Sequence, residues 1–86
     1  MMIEDAAERS TKYLDTTTRS LGRIKRSKLP SNVSEDQVDK VMELVRGYTK
    51  DARHYLETKK PVTSLACIAY AEGLLDALKF LELADF

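Results

Sequence analysis

Residues 61–83 read PVTSLACIAYAEGLLDALKFLEL. No other stretch of the chain is so continuously apolar, and its internal spacing decides what the rest can be. Cys67, Ile68, Ala71, Leu74, Leu75, Leu78 and Leu81 recur at intervals of three and four, the repeat of a helix and not of a strand. They form a band of double width, so this helix is expected to touch two neighbours at once. At about 100° per residue, Glu72, Asp76 and Lys79 gather on one narrow polar strip. Beyond it runs a second line of small residues ending in an aromatic: Ala66, Ala69, Gly73, Ala77 and Phe80. A core with two partners does not need that second line.

Pro61 opens the helix, because proline is tolerated in a first helical turn and not further in. Lys59 and Lys60 stand just before it and suit the carboxyl end of a preceding helix. So short a link makes the second and third helices antiparallel neighbours. The second helix starts at Ser34-Glu-Asp-Gln37, a capping box in which the serine oxygen and the glutamine side chain satisfy each other's backbone amides. Val38, Val41, Val45, Tyr48, Ala52 and Tyr55 then mark its apolar side.

The first helix is read from Ile3, Ala7, Ser10, Leu14, Thr17, Leu21 and Ile24, with Glu4, Asp5 and Glu8 early and Arg23, Lys25, Arg26 and Lys28 late, the polarity that the helix dipole favours. Gly22 weakens this helix by about 1 kcal/mol relative to alanine without having to break it. The pattern stops at Leu29 and Pro30, since proline disfavours helical geometry in the residue before it. The expected helices are thus about 3–28, 35–58 and 61–83 in one domain, 1–86. Their similar lengths indicate an all-α, three-helix, up-down-up antiparallel bundle.

Composition agrees. The 86 residues are 43% hydrophobic and 33% charged, with three glycines and two prolines, a profile of ordered helix rather than of disorder. Fourteen basic and fourteen acidic residues cancel, so no global field draws the chain to nucleic acid or to an anionic membrane. The cancellation is uneven: residues 1–30 carry +3, residues 31–60 are neutral and residues 61–86 carry −3. An up-down-up bundle places Arg23 and Arg26 near Glu82 and Asp85. Cys67 is alone and forms no internal disulfide. No signal-peptide pattern or eighteen-residue apolar run is read, so the expectation is a cytoplasmic, non-membrane protein.

The run at residues 64–81, SLACIAYAEGLLDALKFL, with its central YAEGLLDAL at 70–78, resembles the signature of an archaeal family catalogued as domain of unknown function 357. The resemblance is close over the third helix and loose, in length and pattern, over the other two. It implies a three-helix bundle in an archaeal cell, and a domain that also occurs attached to nucleotidyltransferase-like domains. It implies no catalytic residue.

Most candidate site residues also have an ordinary packing or solvation role. Glu72 and Asp76 stand one turn apart, but a di-metal bundle centre draws carboxylates and histidines from facing helices, and no Glu-x-x-His sequence is present. They read as a solvated or ion-paired strip, and no metal or other cofactor is expected. His54, the sole histidine, lies among charges with no nucleophile beside it and reads as a surface residue. Cys67 falls in the apolar band and reads as core. Tyr48, Tyr55 and Tyr70 have the spacing of tyrosines that pack inward. No phosphate loop, zinc spacing or nucleophile elbow appears, so no independent enzyme is expected.

Two features remain. Arg19, Arg23 and Arg26, at i, i+4 and i+7 with Lys25 and Lys28, form a basic line that would suit phosphate contact, though without interleaved aromatics for base stacking. The line Ala66, Ala69, Gly73, Ala77 and Phe80 is either accommodation for a neighbouring helix or a seam for a second copy or a protein partner, with Leu83 and Phe86 adding apolar surface. A self-association or protein-docking module acting through the third helix is the leading expectation. An accessory nucleic-acid or nucleotide-binding domain acting through the arginines is the alternative.

Overall fold

A computed structural model describes residues 5–86. Three helices, α1 (Ala6–Arg23), α2 (Glu35–Glu57) and α3 (Pro61–Phe80), run up, down and up, and two short strands, β1 (Lys25–Arg26) and β2 (Ala84–Asp85), join one end. The bundle is elongated, 49 × 25 × 19 Å.

α1 begins later than its sequence pattern indicates, and Ile3 and Glu4 lie outside the described residues. Asp5 is the N-cap, its carboxylate accepting from the amides of Ala7 at 2.9 Å and Glu8 at 3.2 Å, and so satisfying two of the four orphan donors of a helix start. α1 also ends earlier, at Arg23 and not near residue 28, because Ile24 turns extended (φ −66°, ψ 135°). Gly22 and the tertiary pairing that follows account for this together. Lys25 and Arg26 pair antiparallel with Asp85 and Ala84, and the Ser27 amide donates to the Leu83 carbonyl at 3.1 Å. Those backbone groups are satisfied across the fold instead of along a helix.

α2 starts as its capping box dictates: the Gln37 amide donates to Ser34 Oγ at 3.2 Å and the Ser34 amide to Gln37 Oε1 at 2.9 Å. Its carboxyl end closes as a Schellman motif, with the Lys60 amide on the Tyr55 carbonyl at 2.7 Å and the Lys59 amide on the Leu56 carbonyl at 3.2 Å. The end of α3 repeats the device, Leu83 donating to Leu78 at 2.8 Å and Glu82 to Lys79 at 3.0 Å. Both motifs put a non-glycine residue in the left-handed region, Lys59 at φ 61° and Glu82 at φ 59°. α3 therefore stops at Phe80, not at residue 83.

α3 is the central helix, packed most extensively on α2, then on α1. Its inward line is Ser64, Ile68, Ala71, Leu75 and Leu78; α2 contributes Val38, Met42, Val45, Thr49 and Ala52, and α1 contributes Ser10, Leu14, Thr17 and Ser20. Each fully buried Ile, Leu, Val or Met contributes about 1.5–3 kcal/mol of transfer free energy. The α2 core is turned by about one residue from the sequence reading: Met42 and Thr49 are buried, while Val41, Tyr48 and Tyr55 are half-buried. Leu81, read as core, lies beyond the last turn and is 67% exposed. Leu83, read as surface, is buried after the chain reverses at Glu82.

Candidate docking face on the third helix

The line Ala66, Ala69, Gly73, Ala77 and Phe80 is exposed at every position. The bundle leaves it uncovered because α1 and α2 both pack on the opposite half of α3. A Cβ built on Gly73 meets nothing within 4 Å, so neither neighbour approaches that backbone. Phe80 is 81% exposed and Val62 73%, both on the same helical azimuth, and Leu81 and Tyr70 (51% exposed) widen the face toward α2.

From Val62 to Leu81 this apolar face rises about 28 Å at 1.5 Å per residue. A buried apolar face and an exposed one make α3 apolar nearly all round, which is why Pro61–Phe80 is long and apolar enough, by length and composition, to cross a membrane. In the bundle that helix carries the core.

Both edges of the face are shaped by the neighbouring helices. On the α2 side Tyr48 lies with its ring centroid 4.6 Å from that of Tyr70, and Leu44 is 44% exposed. Nearer the end of α3, Val33, Val41, Leu74, Ala77 and Leu81 line an apolar cleft of about 160 Å³. On the α1 side Tyr13, Ala69, Glu72, Gly73 and Asp76 line a second cleft of about 240 Å³. There the Glu72 Oε2 atom is buried without a hydrogen-bond partner. Burial, followed by the charge of Asp76, holds the Glu72 carboxyl above the ordinary carboxylate range. Neither cleft, nor this unpaired carboxylate oxygen, is legible in the sequence, because each depends on how far α1 and α2 wrap around α3. The nearest signal is that Glu72 falls between the two apolar bands.

The basic set is not one line on one helix. Arg19 and Arg23 stand on α1, but Arg26 is in β1, three residues past the helix end. Its guanidinium reaches Glu35 at 3.0 Å and Asp39 at 2.5 Å at the start of α2, rather than Glu82 or Asp85. Arg19 pairs with Asp15 at 3.2 Å. Two of the three cations thus already face carboxylates of this chain.

Among the described residues no group of three or more His, Cys, Asp or Glu side chains is placed to hold a metal ion. His54 is exposed, its ring edge-on to Tyr55 at 5.4 Å. Cys67 is half-buried rather than fully in the core, and burial, then Asp51, push its thiol pKa up, away from the reactive thiolate. Phe86 folds back onto the core, under the Lys79 ammonium at 4.7 Å, so Leu83 and Phe86 do not extend the exposed face.

No curated protein and no solved structure matches this chain. Residues 12–84 match the sequence model of the family described as protein of unknown function, DUF357, and the chain belongs to that family.

Proposed function

We propose that this DUF357 domain is an interaction module that docks, through the outer face of α3, against an apolar helical surface, foremost that of a second copy of itself. One observation carries the reading: α3 has a second apolar face, centred on Gly73 and running from Val62 to Leu81, that none of the described residues covers. Isolated exposed hydrophobic residues are ordinary on soluble proteins, whereas a contiguous helical stripe of them is the feature of a docking surface. Exposed glycine in a helix costs about 1 kcal/mol relative to alanine, and close helix approach is the role that offsets it. The arginine alternative is supported less, since Arg26 leaves α1 and both it and Arg19 are ion-paired.

Photocrosslinking in intact cells tests the reading. A benzophenone side chain at position 80 is expected to yield a protein adduct, with the mass of two copies, that Ala69→Glu abolishes; the same group at exposed Lys12 yields none. Absence of a protein adduct at position 80, or one insensitive to Ala69→Glu, overturns docking through this face.

A further inference from the structure

We draw no further inference here: the strongest candidate, the cleft between α1 and α3 that Tyr13, Glu72 and Asp76 line, is an acidic pair on one helix whose side chains are only half-buried, and nothing in the structure points to a ligand that it would hold.

Discussion

The Ser10 hydroxyl of α1 lies 2.5 Å from the Ser64 hydroxyl of α3, and Ser64 in turn donates to the Ala52 carbonyl of α2 at 2.6 Å. A carbonyl only accepts, so the proton between the two serines comes from Ser10. All three helices therefore meet in one buried chain of hydrogen bonds, with Ser10 and Ser64 both fully buried. Small side chains at this point let the helices approach closely, and each hydroxyl meets the need for a partner that burial creates.

Removing the middle of that chain leaves Ser10 with a buried donor and no acceptor. Ser64→Ala is expected to cost about 1–3 kcal/mol, lowering the thermal midpoint by roughly 4–8 °C per kcal/mol. Ser10→Ala, which leaves Ser64 bonded to Ala52, costs less. Thermal unfolding followed by circular dichroism at 222 nm ranks the two; equal losses count against the donor order.

Thr17 presents the reverse case. Its Oγ1 is buried without a hydrogen-bond partner, within a residue 1% exposed. Thr17→Val keeps the shape and removes the unsatisfied group, so a gain of about 1 kcal/mol is expected. Urea titration checks this: the midpoint rises while the slope stays unchanged.

Lys59 and Glu82 occupy the left-handed positions that close α2 and α3. A side chain there costs about 1–2 kcal/mol, part of which glycine recovers, net of its greater freedom in the unfolded chain. Lys59→Gly and Glu82→Gly are each expected to stabilise by about 0.5–1 kcal/mol. The sites stand at opposite ends of α3, so the two gains add in the double variant, as read by chemical denaturation.

Glu72 makes stability depend on pH. Its folded carboxyl is raised above the ordinary value by burial and by Asp76, so the folded chain holds that proton more tightly than the unfolded one. The resulting contribution is full below the ordinary carboxylate range and is lost as pH rises through the raised value. Glu72→Gln, which mimics the neutral form, therefore raises the thermal midpoint at pH 7 and leaves it nearly unchanged at pH 3. Parallel melts at the two pH values read the difference.

Much of the fold was legible because helices announce themselves locally. The three-and-four spacing of the apolar residues, Ser34 with Gln37, and the Lys-Lys-Pro junction at 59–61 specify where helices run and that α2 and α3 are antiparallel. These signals act within a turn or two of backbone and require no knowledge of the neighbours. The second apolar line of α3 was legible for the same reason.

The tertiary structure decided what lies over each stripe. A helical wheel cannot tell whether Ala66, Ala69, Gly73, Ala77 and Phe80 face α1 or open solvent, since that depends on how α3 is rotated between two partners. The packing of Ile68, Leu75 and Leu78 against α1 and α2 set that rotation and left the line exposed. Nor does any local pattern foretell that residues 25–26 pair with residues 84–85. That pairing joins segments almost sixty residues apart; it turns Arg26 away from the α1 line toward Glu35 and Asp39, and accompanies the burial of Leu83. Periodicity within one segment determined the helices and their polarity. Competition among segments for the same core determined where they end and which face of α3 remains free.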